Sequence, residues 1–213
     1  MSMAHYEINH SDTPIRLFKS DFLEFFTHIS PVVVLIIWTP VAIYFLARAI
    51  HDRVSGSPLG QIPIGLGVGL FVWTFTEYAM HRFVFHYRPR TPWQERIVFL
   101  FHGVHHAQPQ LKTRLVMPPV VSVPLAFVIY GIFSLICTML GGPQWVAPLF
   151  AGAVAGYLIY DMTHYATHHL PMRWGYLKFV KQYHMKHHYK TPNARFGVSS
   201  PLWDYVFGTM PAE

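Results

Sequence analysis

Four stretches of the chain stay apolar long enough to cross a bilayer: residues 31–50, 62–80, 118–140 and 146–162. A helix rises about 1.5 Å per residue, so about twenty residues cover the roughly 30 Å hydrocarbon core. Pro40 and Pro124 fall inside the first and third stretches and predict kinks there. Gly65, Gly67 and Gly69 in the second, and Gly152 and Gly156 in the fourth, predict close helix approach. The Gly141-Gly142-Pro143-Gln144 turn is too short to do anything but reverse the chain. The fourth span therefore runs straight back and continues past the lipid, carrying His164 and His168 into a polar cap. Ahead of the first span, Leu17, Phe18, Phe22, Phe25, Phe26 and Ile29 recur at helical spacing, with Lys19, Ser20, Asp21 and Glu24 between them. That pattern predicts an amphipathic helix in the membrane interface, within a polar N-terminal segment of residues 1–30. Residues 81–117, with a short helix near Gln94–Phe101, and residues 163–213 form the cap. The expected fold is one membrane-embedded, all-α domain over residues 1–213, with four transmembrane helices and a helical cap.

Composition agrees with that pattern. Apolar residue types make up 52% of the chain and charged types 12%, against about 25% charged in an ordinary globular domain. Every Lys and Arg except Arg48 and Arg53 lies in the segments that share the cap's side, which predicts that the cap faces the cytoplasm. Topology alone accounts for most of that charge. The basic face is also suited to anionic lipid headgroups or an acidic electron-transfer partner, and nothing in the sequence points to nucleic acid. Glu7, Asp12, Asp21 and Glu24 interrupt the N-terminal segment, which does not read as a signal peptide.

The fifteen histidines change the picture. His5, His10, His28 and His51 stand alone and read as ordinary surface or core residues. The others cluster as His81 and His86; His102, His105 and His106; His164, His168 and His169; and His184, His187 and His188. Residues three and four apart share a helix face, and all four clusters fall at the cap end of the bundle. His169 breaks helical phase with its neighbours. That leaves ten imidazoles, and an ion takes four to six ligands, so ten suggest two ions. Imidazole suits iron, zinc, copper and nickel; the single cysteine, Cys137, excludes a cluster of thiolates. Two metals can share the electrons needed to turn O₂ into an oxidant for an aliphatic C–H bond, which favours a di-iron site. Each ligating ring needs an acceptor for its other nitrogen, and Glu77, Asp161 and Asp204 are the candidates; otherwise they cap or solvate helix ends. A metal transporter would place ionisable groups near the bilayer midplane, and spans one and three carry none there. A structural zinc cap is the remaining alternative outside enzymology.

The stretches EYAMHRFVFH (77–86), FHGVHHAQP (101–109), TRLVMPP (113–119), YDMTHYATHH (160–169), YHMKHHY (183–189) and FGVSSPLWDYVFGT (196–209) resemble the fatty acid hydroxylase superfamily of membrane di-metal enzymes. Within it they are most similar to the fatty acid 2-hydroxylase, or sphingolipid alpha-hydroxylase, branch. The resemblance implies hydroxylation beside the carbonyl of a fatty acyl or ceramide-like lipid. It implies two irons and O₂, with zinc a possible occupant after purification. It carries the metal-ligand role onto His81, His86, His102, His105, His106, His164, His168, His184, His187 and His188. Sterol and carotenoid oxidases share the general histidine pattern, but the segment from Arg114 to Pro119 favours the fatty-acyl branch. Eukaryotic members carry a cytochrome b-type haem domain ahead of this region, for which the sequence offers no stretch. Electrons are therefore expected from a separate cytochrome or ferredoxin-type protein, and a bacterial cytoplasmic membrane is favoured over the endoplasmic reticulum. An apolar path framed by spans two to four, with Phe71, Phe75 and Met117 in its lining, is expected to lead to the metals.

Overall fold

The computed structural model describes residues 6–54 and 60–211, with Arg53 and Val54 described by backbone alone. The turn expected to close the first span lies partly outside the described residues, as does His5.

Four long helices form the body. They are α2 (Pro31–Val54), α3 (Gln61–Ala79), α6 (Pro119–Met139) and α7 (Val146–His169). Each is long and apolar enough to cross a membrane. No strand occurs among the described residues. Large apolar side chains such as Ile36, Ile43, Phe127 and Leu135 point outward and are 61% to 72% exposed, the surface that lipid rather than water would cover. Both α2 and α6 run on unbroken through Pro40 and Pro124.

α7 is the central helix, buried along most of its length and packed against α2, α3 and α6. Its approach to α3 rests on absent side chains. A Cβ at Gly69 would lie 2.0 Å from the Leu149 carbonyl oxygen, and one at Gly152 would lie 2.2 Å from that of Leu66. Gly65 and Gly156 are also tight, against Pro148 and Trp73. Gly67 meets nothing within 4 Å, so it takes no part in the packing expected of it. Aromatic residues fill the core beneath: Trp73 and Trp38 meet Tyr157 edge-on, with ring centroids 5.2 and 5.4 Å apart.

The cap follows from α3. The helix widens into a π-helical turn over Met80–Phe85, closed by the His86 amide donating to the His81 carbonyl (2.9 Å). α4 (Pro92–Val98) begins at Thr91, whose side chain accepts from the Gln94 amide, with Pro92 in the first turn. A second π-turn, Phe99–Gly103, leads into α5 (Val104–Ala107). The short helix expected near Gln94–Phe101 therefore starts earlier and changes its winding midway. α8 (Gly175–Tyr189) and α9 (Leu202–Val206) complete the cap.

The N-terminal segment departs most from expectation. Only α1 (Asp21–Phe25) is helical, capped by Ser20. Most of the remainder is a non-helical strap laid across the cap. The Asn9 amide donates to the Ala107 carbonyl (2.7 Å) and the Ile29 amide to that of Thr113 (2.8 Å). Gln108 accepts from the Ile15 amide (2.8 Å) and donates to the Thr13 carbonyl (2.9 Å). Arg114 bonds the Ile15 carbonyl and pairs with Glu24. Glu24 also accepts from the Leu17 and Phe18 amides (3.0 and 2.8 Å). These long-range polar ties compete with an amphipathic helix and win. His28 is drawn in as well, bonding Thr113 (2.7 Å) and Arg114 (2.9 Å).

Candidate metal centre

The ten histidines singled out in the sequence meet at the cap end of the bundle, all buried. They sort into two groups of five, with one ring nitrogen from each lying within 4.8 Å of the others in its group. His81, His86, His102, His106 and His187 form the first; His105, His164, His168, His184 and His188 form the second. His169 belongs to neither. It lies tilted against Tyr165 instead, ring centroids 4.8 Å apart.

Local winding explains the sorting. Five residues along an α-helix turn about 140° away, so His81 and His86 would diverge. The π-turn between them brings position i+5 round to position i, and both rings join the first group. His164 and His168, one α-turn apart on α7, both serve the second. Each His-x-x-His-His triplet is divided. His102 and His106 point to the first group while His105 points to the second; His184 and His188 point to the second while His187 points to the first. Each group therefore draws two rings from the end of a span, two from one triplet and one from the other.

Within each group the Nε2 atoms face one another. In the first, His81 and His102 are 3.0 Å apart, His102 and His106 3.1 Å, His106 and His86 3.2 Å, and His86 and His187 3.1 Å. In the second, His164 and His105 are 3.1 Å apart; His105 and His188, His188 and His184, and His184 and His168 are each 3.0 Å apart. Ordinary hydrogen bonds account poorly for these runs of contacts, since each run of five rings would need N–H groups shared evenly between two neighbours. An ion about 2.1 Å from each nitrogen sets ligands at right angles about 3.0 Å apart. The donor set thus fits a divalent cation in each group.

Protonation agrees. Burial, reinforced by neighbouring imidazoles, holds His86, His102, His105, His106, His184 and His188 well below the ordinary histidine range. Burial lowers His187 to about 4, although its bond to the Ala194 carbonyl pulls the other way. Neutral imidazoles are the form that binds metal.

The three carboxylates lie elsewhere than expected. Among the described residues none of them bonds an imidazole. Asp161 accepts from the Met117 amide (3.1 Å) and the Tyr157 hydroxyl (3.1 Å). Glu77 and Asp204 bind the backbone of residues 196–199. The ring acceptors are main-chain carbonyls: Phe196 takes the Nδ1 proton of His81 (2.5 Å) and Ala194 that of His187 (2.7 Å). No residue-type signal marks a carbonyl, so sequence reading missed both.

A cleft of about 410 Å³ reaches the centre from the side. Leu17, Leu23 and Phe26 of the N-terminal segment line one part of it, and Met117, just ahead of α6, with Val120 and Val121 in its first turn, line another. His102, His105 and His164 line it at the metal centre, so both groups border the same space. Met117 lines it as expected; Phe71 and Phe75 do not, and pack on Trp203 instead. A second, basic hollow of about 1440 Å³, lined in part by Arg82, Arg88, Arg90 and Arg96, reaches His86.

A sequence model of the fatty acid hydroxylase family matches residues 66–209. A dihydroceramide fatty acyl 2-hydroxylase of Arabidopsis thaliana is 39% identical over 208 residues, covering 98% of this chain and 84% of that protein. A fatty acid 2-hydroxylase of Homo sapiens is 37% identical, covering 94% of this chain and 58% of its own length. The solved structure of full-length scs7p, in which only the hydroxylase domain is visible, superposes with a TM-score of 0.80 at 36% identity, covering 90% of this chain and 70% of that one.

Proposed function

The chain belongs to the fatty acid hydroxylase family, and from that premise we propose that it is a di-iron monooxygenase that hydroxylates carbon 2 of a membrane-resident fatty acyl lipid, free or ceramide-like. One observation carries this reading: ten imidazoles converge in two groups of five, and His102, His105 and His164 from those groups line an apolar cleft. The names of the relatives, which act on fatty acids or dihydroceramide fatty acyl groups, support the position and the substrate class.

His81, His86, His102, His106 and His187 hold one iron; His105, His164, His168, His184 and His188 hold the other. When bound, the iron pair supplies the redox capacity to convert O₂ and two electrons into an oxidant able to break an aliphatic C–H bond. In balance, the C–H becomes C–OH, the second oxygen atom leaves as water, and two electrons and two protons are consumed. The protein's part is placement. The cleft walls take the hydrocarbon and exclude water, and carbon 2 sits at the His102–His105–His164 end. Asp161 holds the Met117 amide, which fixes that wall against α7. Electrons come from a separate redox protein of cytochrome or ferredoxin type. The arginines of the hollow beside His86 suit an acidic docking face. The distribution of Lys and Arg supports a cytoplasmic cap.

Cells with and without the gene, compared by lipid mass spectrometry, test the reading. We expect 2-hydroxy acyl lipids in the first and their loss in the second. An unchanged lipid profile, or hydroxylation restricted to a sterol or carotenoid, would overturn the assignment.

A further inference from the structure

The two histidine groups differ in how their rings are held. In the first group the Nδ1 atoms of His81 and His187 donate to the carbonyls of Phe196 (2.5 Å) and Ala194 (2.7 Å). In the second group the Nδ1 atoms of all five rings are buried and meet no protein acceptor. His86 in the first group also lacks one. The contrast is two anchored rings against none.

The anchoring carbonyls belong to one tied loop. Asp204 accepts from the Phe196 amide (2.8 Å), the Gly197 amide (2.6 Å) and the Thr209 hydroxyl (2.6 Å). Glu77, reaching across from α3, accepts from the Val198 amide (3.3 Å), the Ser199 amide (2.9 Å) and the Ser199 hydroxyl (2.7 Å). A Cβ at Gly197 would sit 2.0 Å from the Ser200 carbonyl oxygen, so the loop is tightly folded on itself. Asp204 and Glu77 are thus positioning residues. They act on two imidazoles through the main chain, and neither touches a metal.

A ring whose Nδ1–H is already held has its tautomer and direction set before an ion arrives, and the acceptor makes its Nε2 a stronger donor. Removing such a partner typically costs about 10–100-fold in metal affinity. We infer that the two centres are unequal. The group containing His81 and His187 is preorganised and keeps its ion, whereas the group containing His164 and His168 binds at least about 10-fold more weakly and empties first. The loop tied by Asp204 and Glu77 sets the difference. This inference rests on the ten histidines being ligands, as proposed above.

The test is a metal titration that needs no turnover. The full chain in detergent is stripped of metal and titrated with Zn²⁺ against a chromophoric chelator, with bound metal counted by mass spectrometry. Two ions per chain are expected, in two affinity classes at least about 10-fold apart. His168→Ala should leave one ion at the tighter affinity, and His187→Ala should abolish the tight class. Asp204→Asn should weaken the tight class about 10-fold and leave the weak class unmoved. Two ions of equal affinity, or an Asp204→Asn protein in which both classes weaken alike, would overturn the inference. No bound metal, or two ions retained by His168→Ala, would instead overturn the ligand reading beneath it. If Asp204→Asn does not fold, Glu77→Gln takes its place, and the unaltered chain still decides whether two classes exist.

Discussion

His168 and His169 are adjacent, yet only His168 joins a group of five. On α7 the first lies one turn from His164, and the second is rotated about 100° further round, beside Tyr165. His168→Ala is therefore expected to lose metal and most hydroxylation, whereas His169→Ala keeps both metals and much of the activity. Metal content per chain, measured alongside product, checks this; equal metal loss from both variants would contradict it. The titration of the group gives a second expectation. His187 is held down to about 4 in the folded chain, against about 6.5 when unfolded. Between those values the unfolded chain binds a proton that the folded chain refuses, so stability falls as pH drops through the window. His102, His105, His106 and His184 are lowered as well and add to the slope. Thermal melts of the metal-free protein between pH 8 and pH 5 should show a steep loss of Tm below about 6.5; a flat profile would show that these rings are protonated in the fold.

The helices carry their own lesson about legibility. Their existence was plain from the apolar runs, and the i, i+4 pair His164–His168 could be assigned to one face from spacing alone. The pair His81–His86 could not, because no local signal distinguishes a π-turn from an α-turn, and a single widened turn moves a ring by about a quarter of a revolution. The division of each triplet between two centres was hidden for a related reason: helical phase gives directions but not the position of the partner. The helix expected across Leu17 to Ile29 shrinks to α1, which keeps Phe22; Leu17 and Phe18 share the helical spacing but stay outside it, because the partners that tie the chain just ahead of them, Gln108 and Arg114, lie far along the sequence. The glycines sort in the same way. Gly69→Ala would drive a methyl into the Leu149 carbonyl and should cost about 1–3 kcal/mol. Gly67→Ala meets open space and should be neutral or stabilise α3 by up to about 1 kcal/mol. Unfolding of both variants in the same detergent measures the difference, and similar melting temperatures would deny that α3 and α7 meet through Gly69.

At the scale of the molecule, a lipid-facing bundle, a buried imidazole cage and a side cleft form one arrangement. α7 joins them: its apolar part packs the spans, Asp161 steadies the cleft wall, and His164 lies on both the cage and the cleft. The chemistry asks for a redox-active ion, and imidazole sites often take zinc more readily than iron. Zinc has no redox chemistry to offer O₂, so occupancy alone does not establish activity. The most direct measurement is product formation under ¹⁸O₂ by the purified full chain in a lipid bilayer. It is supplied with an acyl lipid and a reduced electron donor, and compared in its iron-loaded and zinc-loaded forms. We expect one ¹⁸O atom at carbon 2 of the acyl chain, in proportion to iron content, and none from the zinc form. Full hydroxylation by an iron-free, zinc-loaded sample, or product oxygen drawn from water, would contradict the account.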